Sequence, residues 1–246
     1  MTSVGIPTNL LQLSPQTRLN AMKSITALSK YLGCYDSWQQ IRKQYNLKWT
    51  TGQESISAME RFFNPGLSLE SMIAKVKQMI RVLGGYMGQI VEFCVLTGLR
   101  PSEAVESVRL LNLPLVASQY YNPKRQCLEH FRYPDIFLRT TKKAYISFVT
   151  SDMIEYCKMS HRTQIPTYNS IRLACRKKHG ISMDMRYCRK IFASWLHKEG
   201  ISDITVDMLQ GRTPKSVLAQ HYLTPDSSLR DRVLEAVHKL KSELDA

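Results

Sequence analysis

The residues best equipped for chemistry are three separated groups of arginines and one tyrosine. Thr97-Gly98-Leu99-Arg100-Pro101-Ser102-Glu103 stands near the middle of the chain and Arg186-Tyr187-Cys188-Arg189 lies further on. Gln210-Gly211-Arg212 comes near the end, followed by His221-Tyr222. A guanidinium stays ionised at any working pH, and its planar fork matches two oxygens of a phosphate. A tyrosine hydroxyl becomes a nucleophile once it is activated. Together these groups suit gripping a DNA phosphate and attacking it.

Each group has a local context that bears on its role. Arg100 follows a glycine helix stop and precedes a proline helix start, so it sits beside a helix N-terminus with free N–H groups and partial positive charge. Such a position calls for a visiting anion or a balancing carboxylate, and Glu103 is placed to supply the latter. An ordinary surface arginine in a turn fits the same segment. Arg186 and Arg189 are three apart and share one helix face. Beside them runs an apolar stripe of Cys188, Phe192, Trp195 and Leu196, with Gly200 as the stop. A salt-bridged pair is the alternative, but only Asp184 and Glu199 are close in sequence. Arg212 occupies a tight turn between a glycine stop and a Thr213-Pro214 helix start. Tyr222 lies ten residues on; taken alone, a helical tyrosine is more often a core residue.

The elements that must position these groups read as mainly helical with one small antiparallel β-hairpin, an α+β chain. Ser14-Pro15 opens a helix to about Leu32, with Met22, Ile25, Leu28 and Leu32 as its stripe and Gly33 as its stop. Ser37 to Tyr45 reads as a basic helix bearing Trp38, Ile41, Arg42 and Lys43, and Ser55 to Phe63 as a third. Asn64-Pro65-Gly66 is the turn that separates a helical module, residues 1–66, from residues 67–246. Beyond it, Ser68 starts a helix with Met72, Val76, Met79, Ile80 and Leu83 on one face, interrupted at Gly84-Gly85. Met87 to Leu96 reads as a buried helix ending at Gly98, and Pro101 to Leu111 as the next. The runs Ile136-Phe137-Leu138 and Tyr145 to Val149 are expected to pair as a hairpin, with Thr140-Thr141-Lys142-Lys143 at its turn. Helices resume after Ser151. The last, about Ser228 to Leu244, carries Leu229, Val233, Val237, Leu240 and Leu244 on one face.

The 246 residues are 43% hydrophobic, enough for a sizeable core, and the formal net charge is +14 with a pI of about 9.6. That excess favours a polyanionic partner, most simply nucleic acid. Six cysteines occur without a C-x-x-C pair or zinc spacing and read mostly as small core residues, which suits a reducing, intracellular setting. No signal peptide, membrane span, internal repeat or low-complexity segment is apparent. His130, His161, His179, His197 and His238 show no ligand spacing. No carboxylate cluster of the metal-nuclease kind is evident.

In order, these segments resemble the tyrosine recombinase (phage integrase) family, from about Ser14 to Tyr222. Thr97 to Glu103 is similar to the family's first arginine box. Arg186-x-x-Arg189 with Phe192-Ala193, and then Leu209-Gln210-Gly211-Arg212 with Tyr222, resemble the second. The phrase from Leu209 to Tyr222 is most similar to integrases of archaeal viruses and plasmids. The resemblance implies a catalytic recombinase fold preceded by a helical core-binding domain that clamps DNA. It implies that Tyr222 attacks a backbone phosphate and leaves a 3′-phosphotyrosyl link and a free 5′-hydroxyl. Arg100 and Arg189 then match the clamp arginines, with Arg186 and Arg212 beside them. A hairpin lysine, Lys142 or Lys143 with Lys142 preferred, protonates the leaving oxygen. No metal or cofactor is implied. Double-stranded attachment sites and a homo-tetramer on DNA are, and the last helix would dock either on a neighbouring protomer or within its own chain. Arg42, Lys43, Lys177 and Lys178 are candidate phosphate contacts.

Two departures from the family stand out. Arginine occupies position 186, where histidine or lysine is usual, and position 212, where histidine or tryptophan is usual. Neither can serve as a simple general base. The spacing from Arg212 to Tyr222 is also one residue longer than is common. These departures keep two other readings open: a DNA-binding recombinase that no longer cuts, and a type IB topoisomerase-like enzyme that nicks and reseals.

Overall fold

The computed structural model describes residues 5–49, 59, 66–140, 142–158, 165–179, 185–212 and 228–245. The chain divides into two compact units, Met1–Gly66 and Leu67–Ala246.

The first unit holds α1 (Gly5–Gln12), α2 (Pro15–Tyr31) and α3 (Tyr35–Gln44). Ser14 caps α2 by accepting from the Thr17 N–H, and Pro15 occupies its first turn, as the sequence predicts. The core is small: Leu10, Met22, Trp38 and Leu47. Trp38 Nε1 donates to Thr26 Oγ1 at 2.8 Å, so the indole buries its ring without stranding its N–H. The predicted α2 stripe is only partly correct. Leu28 and Leu32 are 56% and 62% exposed. At ~100° per residue, Leu28 lies roughly 120° and Leu32 roughly 80° around the helix from Met22, whereas Ile25 and Ser29 stay on its face. Nearly all of the expected helix from Ser55 to Phe63 lies outside the described residues.

The second unit is built on α4 (Leu69–Leu83), α5 (Gly85–Thr97) and α6 (Pro101–Leu111), with α11 (Arg186–Lys198) packed against α4 and α5. Nearly all of α5 is buried, including Ile90, Val91, Phe93, Val95 and Leu96, which is why it reads as apolar on all sides. Around this centre lie α7 (Pro114–Tyr120), α8 (Pro134–Phe137), α9 (Ser151–Lys158), α10 (Tyr168–His179), α12 (Asp203–Leu209) and α13 (Leu229–Asp245). The apolar face of α13 is covered by its own chain. Val233, Val237, Leu240 and Leu244 are buried there, and Trp195 Nε1 of α11 donates to the Ala236 carbonyl at 2.8 Å.

The strands depart from the sequence reading. Strands β1 (Tyr121–Asn122), β2 (Cys127–Glu129) and β5 (Ile146–Phe148) form a three-stranded antiparallel sheet in the order β1-β2-β5. A separate ribbon pairs β3 (Leu138–Arg139) with β4 (Lys142–Lys143). The two apolar runs expected to pair with each other therefore do not. Pro134 starts a helical turn that takes Phe137 into the core, and Ile146–Phe148 pairs with Cys127–Glu129. Lys142 and Lys143 form the returning strand rather than the turn. A buried chain of hydrogen bonds fixes the sheet to the helices. Ser107 Oγ lies 2.8 Å from Tyr120 Oη, which lies 2.6 Å from His130 Nδ1, and His130 Nε2 lies 2.8 Å from Ser147 Oγ. Burial pushes the His130 imidazole down to about 3.

Candidate active site

Arg100 is placed by the turn before α6. Gly98 ends α5 in the left-handed conformation, φ +64°, and Leu99 is buried. A β-carbon on Gly98 would lie 2.3 Å from the Phe192 ring of α11, so glycine serves both the turn and the close approach. Arg100 is the N-cap residue and Glu103 lies three residues on. The Glu103 Oε2 accepts from the Arg100 backbone N–H at 3.1 Å, which is one half of a capping box. Its Oε1 accepts from Arg100 Nη1 at 2.9 Å and from Arg139 Nη2 at 3.1 Å. The Glu103 side chain is 1% exposed. The expected balance between Arg100 and Glu103 is thus present, with a second arginine that sequence reasoning missed. Arg139 is 36 residues away and bears no local signal of that pairing.

Arg189 is held from two sides. Its Nη1 donates to the Gly98 carbonyl at 3.0 Å and its Nη2 to the Gln210 carbonyl. Gln210 Nε2 returns a bond to the Arg189 carbonyl at 2.8 Å. One guanidinium therefore ties the α5–α6 turn to the end of α12. Burial, then the positive charge of Arg100 and with it that of Arg212, holds the Arg189 guanidinium down at about 10, with Glu103 acting in the opposite sense. It remains a cation at neutral pH. Gln210, 2% exposed, is a bracing residue whose role was not read from the sequence. The unusual burial of an amide beside the Gly211 turn is the signal, and it becomes visible only in three dimensions.

Arg212 follows Gly211, which has φ +71°. Arg212 is 60% exposed and donates to Asp207 Oδ1 at 2.5 Å. The Gly211 turn presses on the ribbon: a β-carbon there would lie 1.6 Å from the Lys143 carbonyl oxygen. That same oxygen accepts from Arg100 Nη1 at 3.2 Å. The α5–α6 turn, the end of α12 and β4 therefore meet at one carbonyl.

The remaining sequence candidates fall as follows. Arg186 opens α11, three residues before Arg189, and Lys142 pairs with Arg139 in the ribbon; both side chains lie outside the described residues. Lys143 is exposed. Tyr222, His221 and the Thr213-Pro214 helix start also lie outside the described residues. Lys177 is exposed on α10, and the side chain of Lys178 beside it is not described. In the first unit, Lys43 is exposed, whereas the Arg42 guanidinium stacks 4.5 Å from the Trp49 ring centre and donates to Gln39 at 3.0 Å. Five cysteines are buried and Cys34 is exposed. Among the described residues there is no group of His, Cys, Asp or Glu able to hold a metal ion and no helix long and apolar enough to cross a membrane.

Neither a search of curated proteins nor a search of solved structures gave a match. The model of the archaeal phage integrase family matches residues 71–232, about two thirds of the sequence. The matched stretch runs from α4 into α13 and takes in every arginine of the site, and the chain belongs to the archaeal phage integrase family.

Proposed function

We propose that this integrase is a site-specific tyrosine recombinase that cuts and rejoins duplex DNA through a 3′-phosphotyrosyl intermediate. The Tyr222 hydroxyl gives its proton to water or a phosphate oxygen and its oxygen attacks the scissile phosphorus; the bond to the 5′-oxygen breaks, and a lysine of the ribbon gives that oxygen a proton. The 5′-hydroxyl of a second strand then reverses the attack. Arg100 and Arg189 bind the non-bridging oxygens, whose charge grows in the transition state. Arg186 and Arg212 add positive field. That field lowers the cost of ionising Tyr222, whose ordinary value is ~10.

The observation that carries this reading is the meeting of Arg100, Gly211 and the ribbon at the Lys143 carbonyl, with the Arg189 guanidinium responding to both Arg100 and Arg212. It favours a phosphate clamp over scattered surface arginines, because Arg100, Arg139, Arg189 and Arg212 outnumber the two carboxylates paired with them, Glu103 and Asp207, and leave an excess of positive charge for an anion. Strand alternation favours Lys142 as the proton donor. Its ladder partner is Arg139, which reaches Glu103. The first unit, with Arg42 and Lys43, would clamp the duplex, and Lys177 and Lys178 would add phosphate contacts. Work on two duplexes calls for a homo-tetramer assembled on DNA inside the host cell. Because α13 is covered within its own chain, other surfaces would join the protomers.

Covalent trapping tests the proposal. The protein is incubated with supercoiled plasmid carrying its own gene, or with genomic fragments, then denatured and assayed for protein bound to DNA. An adduct lost in Tyr222→Phe is the expected result. Salt-sensitive binding without any adduct would point instead to a module that holds DNA but does not cut it. An adduct that relaxes supercoils but never exchanges strands between duplexes would point to topoisomerase-like activity.

A further inference from the structure

Arg139 belongs to none of the three arginine groups, yet it closes a ring of contacts around the site. Its Nη2 donates to Glu103 Oε1 at 3.1 Å. The same oxygen accepts from Arg100 Nη1 at 2.9 Å, and that Nη1 also reaches the Lys143 carbonyl at 3.2 Å. The β3–β4 ladder, which pairs Arg139 with Lys142 and Leu138 with Lys143, completes the circuit. The ribbon has only two residues on each strand, too few to hold an orientation by its own ladder. Behind it, the Ala144 N–H donates to the Phe137 carbonyl at 2.8 Å and Ala144 is buried, so the ribbon base is fixed. At its other end Arg139 is 44% exposed and the Glu103 carboxylate is nearly inaccessible, so a half-exposed cation is directed inward onto a buried anion.

Resting on the recombinase reading above, we propose that Arg139 is a positioning residue for proton delivery: through Glu103 it locks the lysine ribbon to Arg100, so that the donor and the phosphate clamp hold one fixed geometry. Cleavage forms the Tyr222 O–P bond and breaks the P–O5′ bond. The electron pair passes to O5′, which takes a proton from the lysine ammonium. If the leaving atom is sulfur, the pair remains on a thiolate, whose conjugate acid lies at ~8.5, and no proton is required. A duplex with a bridging 5′-sulfur at the cleavage position therefore bypasses proton delivery while keeping every other demand on the site.

The experiment compares wild type, Arg139→Ala and Arg139→Lys for single-turnover adduct formation. It uses two duplexes that share the cleavage position mapped by covalent trapping, one with 5′-oxygen and one with 5′-sulfur. Arg139→Ala should lose about 100-fold on oxygen, the scale of an ångström-size misplacement, and less than threefold on sulfur. Arg139→Lys, which keeps a cationic donor for Glu103, should recover most of the loss. Equal losses on both duplexes would overturn the proposal, since a direct phosphate contact or general loosening affects the two alike. So would an unchanged rate on oxygen. If wild type forms no adduct on either duplex, the recombinase reading fails and takes this inference with it. If wild type cleaves both and Arg139→Ala slows both equally, the inference alone fails.

Discussion

Gly211 lies so close to Lys143 that a β-carbon at position 211 would fall 1.6 Å from the Lys143 carbonyl oxygen and 2.4 Å from its carbon. The clash is with backbone, so no side-chain rotation relieves it, and φ +71° already disfavours any other residue. Gly211→Ala should therefore either displace the ribbon or strain the α12 turn, at a cost of about 3 kcal/mol. A urea titration at constant m-value reads the loss as a lower midpoint. A wild-type midpoint with a wild-type adduct rate would mean that the two backbones part easily and that their contact does not matter.

Arg189 is a test of shape as well as charge. Its two η nitrogens reach the Gly98 and Gln210 carbonyls on different elements, and a single lysine ammonium does not span both in that fixed fork. Arg189→Ala and Arg189→Lys should each slow adduct formation by at least about 100-fold. Non-specific DNA affinity should fall by less than tenfold, since other cations remain. Single-turnover cleavage alongside filter binding separates the two effects. Near-complete rescue by lysine would show that charge alone suffices.

Glu103 serves three donors from a buried position: the Arg100 N–H, the Arg100 guanidinium and Arg139. Glu103→Ala leaves two arginines and a helix N-terminus without their shared anion. The expected loss is about 3 kcal/mol of stability, the usual cost of breaking a buried ion pair. Glu103→Gln keeps acceptor and donor groups of similar size and should lose less. Urea midpoints of the two variants check the order, and an alanine variant as stable as the glutamine one would contradict it.

His130 predicts a pH dependence of stability. Burial holds its folded value at about 3, well below the ordinary 6.5. Between those values the unfolded chain binds a proton that the folded chain refuses, so stability falls as pH drops below 6.5 and stops falling near 3. By pH 5 the loss is about 2 kcal/mol from this residue. His130→Gln should be less stable at pH 8, having lost its fit between Tyr120 and Ser147, yet should show a flatter profile from pH 8 to pH 5. Parallel profiles would show that His130 is not the group that titrates.

The sequence was most legible where a residue type has only one structural use. Ser14-Pro15, Gly98, Arg100-Pro101 and Gly200 mark helix ends because caps, left-handed glycines and first-turn prolines seldom occur elsewhere, and helices begin or end at each of them. The ribbon was less legible. Two-residue strands carry too little alternation to reveal their partner, and β1 and β2, of two and three residues, are hardly more legible although Asn122-Pro123 signals a turn. Within the site, the link from Arg100 to Glu103 is local and could be read, three residues apart on a helix start. The links from Arg139 to Glu103, from Arg189 to Gln210 and from Gly211 to Lys143 join distant segments, and nothing in any one segment announces its partner.

The bond from Trp195 to the Ala236 carbonyl gives the second unit an optical reporter. The chain has three tryptophans; Trp38 and Trp49 lie in the first unit, so Trp195 is the second unit's single indole. It is 8% exposed and sits where α11, which carries Arg189, meets α13. With Trp38 and Trp49 replaced by phenylalanine, the emission wavelength of Trp195 would register the seating of the C-terminal helix. Lifting that helix would admit water to the ring and move its emission to the red, so release of the helix could be followed in real time as DNA is added.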